Sequence, residues 1–289
     1  MRIDAHLHYW RPACGYDNRP IADNEAYRRD FLPADVAPDL DASGIDAAIL
    51  VQSAPQVEET DWLVALAADE PRVVGITGWV DLDAPRCDFE TLRAKPKVVG
   101  IRAQLRRIAD TAFVERDAVA ANLGAALRSG FGVTILAEAR HYAHVGRVLR
   151  RLPDGPVTLN HLGLPFPDVD RDAWRAFMTA CASRDDTFVQ LSGLPFLYGA
   201  AWREPHAHAL LDQALDILGP GRLMFASDWP MLTRFARYGD WVCAVEAFGE
   251  RRALSSRERD AIFGGNALRA NPRLDPATIP VQPRSLETR

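Results

Sequence analysis

The chain has 289 residues, 48% hydrophobic and 25% charged, enough to bury a sizeable core in one large domain or two ordinary ones. A net charge of −5 excludes the basic face that a nucleic acid or an anionic membrane surface would need. No apolar run approaches the roughly 18 residues of a membrane span, and the start, Met1-Arg2-Ile3-Asp4, lacks a signal-peptide core.

Eight short apolar runs follow one another, at residues 2–5, 47–51, 73–79, 98–102, 132–137, 157–160, 187–191 and 223–226. Several are nearly continuous and rich in Val, Ile and Leu, the pattern of parallel strands buried on both faces. The segment 14–38, after the first run, is long and polar and is expected to fold over a site as a lid. Most later gaps repeat apolar residues at three- and four-residue steps, which predicts helices over 60–69, 118–128, 141–151, 172–183 and 207–218. Gly44, Gly130 and Gly219 stand where a helix must end before the next strand. Eight alternating units predict an α/β fold, a single-domain (β/α)8 TIM barrel, with a doubly wound open sheet as the alternative. The barrel is expected over 1–274. Residues 275–289 read as a Pro-rich tail, either poorly ordered or packed on the barrel exterior.

In such a barrel the active site is built from the C-terminal ends of the strands and the loops that follow. Those positions carry His6 and His8, then Gln52 and Ser53, then Trp79 and Asp81. Arg102, Gln104, Arg106 and Arg107 come next, followed by Glu138 and Arg140, His161, Ser192, and Asp228 with Trp229. Each alone has a bland explanation as a structural hydrogen-bonder or a solvated charge. Together at one rim they indicate a hydrolytic site. His6 and His8, two residues apart, are expected to project to the same side just past the first strand.

Asp4-Ala-His6-Leu-His8, Asn160-His161-Leu-Gly163, Leu191-Ser192-Gly193 and Ser227-Asp228-Trp229-Pro230 resemble the amidohydrolase superfamily. The nearest likeness is to its lactonase branch, which contains sugar-acid lactonases and 2-pyrone-4,6-dicarboxylate lactonase, and it runs from Asp4 to the Gly264–Ala267 region. The resemblance implies a TIM barrel, water as nucleophile and Asp228, after the last strand, as general base. Binuclear members bridge two ions with a carboxylated lysine after strand four. Lys95 and Lys97, the only lysines, precede or begin that strand, so a binuclear site is not expected. One zinc could be held by His6, His8, Glu138 and Asp228. Alternatively no metal is required, and His6, His8 and His161 stabilise the oxyanion themselves.

The expected reaction is hydrolysis of a lactone, most naturally a sugar-acid lactone. Arg102, Gln104, Ser53, Trp79 and Trp229 are the candidate substrate-binding residues, Arg102 through its planar fork and the tryptophans through flat faces. A pyrone-dicarboxylate lactonase, a metal-dependent decarboxylase on the same scaffold and a non-catalytic binding barrel are the alternatives. No Gly-x-Ser-x-Gly elbow offers a serine nucleophile. The expected partner is a small-molecule lactone, without nucleic acid or membrane, and a homo-oligomer is compatible with the sequence. Cys14, Cys87, Cys181 and Cys243 show no CxxC spacing, as expected of free thiols in a cytoplasmic protein.

Overall fold

A computed structural model describes residues 1–16 and 24–280. Its strands are β1 Ile3–Leu7, β2 Ala47–Val51, β3 Val73–Gly78, β4 Val98–Gln104, β5 Gly132–Leu136, β6 Val157–Leu159, β7 Thr187–Leu191 and β8 Leu223–Phe225. They form one sheet in chain order, each parallel to the next. The seam between β8 and β1 closes through Asp228 N donating to His6 O at 2.9 Å and His8 N donating to Trp229 O at 2.7 Å. The result is the eight-stranded barrel expected from the alternating pattern.

Helices cover the outside. Val57–Ala67, Asp117–Arg128, Tyr142–Leu149, Arg171–Ala182 and Pro205–Leu218 occupy the five predicted stretches to within a few residues. Gly44, Gly130 and Gly219 all adopt positive φ just past helix ends, which an L side chain would resist. Phe89–Ala94 and Tyr238–Arg251 complete the ring with Pro33–Ala42. That last helix overlaps the segment expected as a lid. Val36 and Leu40 bury its inner face, so it is a barrel helix. Residues 17–23 of the expected lid lie outside the described residues.

A second apolar layer fills the lower barrel, where Ile3, Ile49, Val74, Val99 and Met224 pack with Leu274 and Ile279 from the end of the chain. Residues 281–289 of the expected tail lie outside the described residues.

Register shifts break the simple alternation of β1, β2, β3 and β4. In β1 the pairing advances three residues from Asp4 to Leu7 while β2 advances two from Ala48 to Leu50. The extra residue turns the upper half of the strand. Ile3 and Ala5 face the lower barrel interior, and after the bulge His6 and His8 face the interior too, while Leu7 joins the outer core. His6 thus lies inside the strand rather than past its end, and a bulge aims it.

Asp4 is displaced to the seam. Wholly buried, it accepts hydrogen bonds from His6 N (3.1 Å), Ser227 N (2.9 Å) and the Tyr238 hydroxyl (2.8 Å). Burial raises its pKa to about 6 despite these bonds. Asp4→Ala would orphan two backbone donors and a hydroxyl, so urea unfolding is expected to show a loss of about 2–5 kcal/mol.

Candidate active site

The strand ends place three imidazoles around one carboxylate. Nε2 of His6, His8 and His161 lie 3.7, 3.5 and 3.7 Å from Asp228 Oδ1, and His6 Nε2 is 3.0 Å from His8 Nε2. All four residues are buried. The other ring nitrogens are tied behind: His6 Nδ1 to Gln190 Oε1 (2.8 Å), His8 Nδ1 to Val51 O (2.6 Å) and His161 Nδ1 to Ser192 Oγ (2.8 Å). Burial, as the largest cause, lowers the pKa of His6 well below the ordinary range and that of His161 to about 4. Both rings are therefore neutral at pH 7.

The backbone is strained where it delivers these groups. His161 (φ 50°) and Asp228 (φ 59°) both adopt the left-handed conformation, which costs roughly 1–2 kcal/mol per non-glycine residue. Such strain survives where the surrounding packing imposes it, commonly at functional sites. Gly193 makes room for His161, since a Cβ there would lie 2.7 Å from the His161 Cβ. This close approach explains the glycine of Leu191-Ser192-Gly193.

Above the cluster opens a cavity of about 280 Å³ whose wall includes His8, His161, Asp228, Arg102, Gln104 and Ser53. Arg106, Arg107 and Arg234 also line it, as do Trp10 and Tyr27. A neighbouring cavity of about 420 Å³ holds Trp79 and shares Arg102, Gln104 and Arg107 with the first. Ser53 gives its hydroxyl to Glu59, a buried carboxylate that also accepts from Ser53 N and Ala54 N.

Arg102 is only 4% exposed, and burial lowers its pKa to about 10, so it remains a cation. Its Nε donates to Asn160 Oδ1 (3.0 Å) and its Nη1 to Gln52 O (2.9 Å). Much of the fork expected to grip substrate is thus engaged within the barrel.

The structure separates two expected site residues from the cluster. Trp229 packs against Tyr9 and Phe31 in the seam, and it is not part of the wall of either cavity. Glu138 is held by Arg140 (2.7 Å) and Arg106 (3.4 Å) instead of meeting the histidines. The ion pairs offer that carboxylate stronger partners on its own rim. Asn160, Gln190, Arg234 and Tyr27 went unrecognised as site residues. Gln190 carried one signal, an amide in the otherwise apolar strand Thr187–Leu191.

The family model described as amidohydrolase matches residues 3–270. The chain belongs to the amidohydrolase family. It is 34% identical to an L-fucono-1,5-lactonase of Burkholderia multivorans, over 96% of this chain and 98% of that one. A Burkholderia multivorans amidohydrolase solved with bound zinc superposes with a TM-score of 0.85 at 34% identity, covering 93% of this chain and 98% of that one. A Pseudomonas putida protein described as a 2-pyrone-4,6-dicarboxylic acid hydrolase, at 22% identity and TM-score 0.72 over 93% and 97% of the two chains, shares the fold.

The donor set of this amidohydrolase fits a divalent ion. Among the described residues, ligand atoms of His6, His161 and Asp228 lie within 4.8 Å of one another, and His8 Nε2 adjoins them. Three imidazoles and a carboxylate suit zinc, and tied outer nitrogens are usual for metal-bound histidines. Glu138→Gln is accordingly expected to leave both metal content and turnover unchanged, measured by elemental analysis and initial rates on the same preparation.

Proposed function

We propose that this amidohydrolase opens the ring of a sugar-acid lactone by attack of water on the lactone carbonyl. The observation that carries the reading is the clustering of imidazole Nε2 atoms around the Asp228 carboxylate just below the cavity. Asp228 Oδ1 and the Nε2 atoms of His6 and His8 surround one small volume. A water there gives its protons to acceptors and turns a lone pair toward substrate. Asp228 takes one proton as the oxygen attacks, the carbonyl becomes an oxyanion, and the ring C–O bond then breaks. The proton returns from Asp228 to the departing ring oxygen, leaving a hydroxy acid. His161 donates to the oxyanion, with Arg102 supplying positive potential nearby. Support for the sugar-acid class comes from the fuconolactonase relative.

At most one divalent ion is held per chain, by His6, His8, His161 and Asp228. Such an ion would polarise the carbonyl and acidify water. A lactone is an activated ester, so the acceptor cluster suffices for hydrolysis without it. The protein acts on a small molecule. No helix among the described residues is long and apolar enough to cross a membrane, and all four cysteines are free, in keeping with a cytoplasmic setting.

A second reading rests on Arg106, Arg107 and Arg234 at the cavity wall, which would suit a pyrone dicarboxylate. Proton release from a panel of aldonolactones and pyrone carboxylates separates the two. Turnover of aldonolactones is expected. Hydrolysis of pyrone carboxylates alone would replace the first reading by the second.

A further inference from the structure

Behind His6, Arg102 continues into a chain of buried amides that the reaction does not touch. Arg102 donates to Asn160 Oδ1, Asn160 Nδ2 donates to Gln190 Oε1 (2.6 Å), and Gln190 Nε2 donates to the backbone carbonyl of Ala5 (3.0 Å). Asn160 is wholly buried and Gln190 nearly so. We infer that the Asn160–Gln190 amide pair sets the tautomer of His6, leaving its Nε2 without a hydrogen and facing Asp228.

The two ends of the chain fix the direction of every bond. A guanidinium only donates, so Asn160 must present Oδ1 to Arg102 and its NH2 inward. A carbonyl only accepts, so Gln190 must present its NH2 to Ala5 and its oxygen inward. His6 Nδ1 meets that oxygen at 2.8 Å and must therefore carry the hydrogen. His8 Nδ1 likewise can only donate to Val51 O. Both Nε2 atoms are then bare, 3.0 Å apart, with the Asp228 carboxylate beside them. Two facing lone pairs repel unless a hydrogen-bond donor or a cation lies against them. The amide pair thus creates a pocket of acceptors, ready for the protons of a water or for a metal ion. These are positioning residues, and the inference holds whichever lactone is the substrate.

Asn160 Nδ2 also lies 3.1 Å from His6 Nδ1. In Gln190→Leu the oxygen is gone and this donor is the remaining neighbour, so His6 is expected to switch, with Nδ1 bare and Nε2 protonated. Adding Asn160→Asp restores an acceptor beside Nδ1, still held by Arg102, and is expected to switch the ring back. The readout is long-range proton–nitrogen correlation on chelator-dialysed protein carrying nitrogen-15 histidine, with His6 assigned through a His6→Gln variant. Zinc titration of the same samples should show affinity about 10–100-fold weaker in Gln190→Leu and regained in the double variant. A protonated His6 Nε2 in the unmutated protein overturns the inference without recourse to any variant. So does a well-folded Gln190→Leu protein that keeps Nε2 bare or binds zinc as tightly as before. Absence of lactone hydrolysis by the unmutated protein, with the tautomers as expected, would count against the proposed reaction and leave this inference standing.

Discussion

Asp228→Asn is expected to lower kcat for lactone hydrolysis by about 10²–10⁴-fold, the range of general-base contributions. The amide is nearly the same size, and the seam bond from residue 228 N to His6 O does not involve the side chain, so the fold should persist. What disappears is a carboxylate oxygen within 3.5–3.7 Å of three imidazole nitrogens. The amide oxygen that replaces it is far too weakly basic to take a proton from water. Initial rates together with a thermal unfolding curve check both halves of the expectation. Near-normal kcat in the variant would remove Asp228 from the reaction.

His161→Ala should cost about 10²–10³-fold in kcat, the usual price of one oxyanion donor. His161 differs from its two companions in its rear partner. Gln190 Oε1 and Val51 O can only accept, but the Ser192 hydroxyl can give its hydrogen to His161 Nδ1. In the metal-free site, a Ser192 hydroxyl that donates leaves the His161 hydrogen on Nε2, toward the cavity, where the proposed reaction needs a donor. If His161 instead served only to hold structure, His161→Ala would lower stability while kcat of the folded fraction stayed normal.

The barrel was legible because eight apolar runs, several nearly continuous, alternated with helical patterns in most of the gaps, and burial of those residues is what the fold consists of. Asp228, His6, His8 and His161 were legible as polar groups at strand ends, where the barrel leaves side chains facing the mouth. Their roles were less so. The bulge in β1 inserts one residue against β2, and nothing local in Ile3–Leu7 announces it. Asp4 looked like part of the histidine motif and proves to clasp the seam. Glu138 occupies a strand end as expected, yet two arginines on the rim capture it, a choice made by tertiary proximity. Trp229 follows Asp228 directly, but packing against Tyr9 and Phe31 takes it out of the cavity. Asn160 and Gln190 join His6 only when strands one, six and seven are brought together.

The acceptor cluster is most directly tested by the rate of aldonolactone hydrolysis before and after chelator dialysis, with bound metal counted in the same samples and protein-free buffer as the blank for spontaneous ring opening. The result predicted is at most one divalent ion per chain before dialysis, none after it, and an unchanged rate that exceeds the blank throughout. A rate that falls with the metal and returns on adding zinc would contradict hydrolysis by the acceptor cluster alone, and a rate no greater than the blank would contradict lactone hydrolysis altogether.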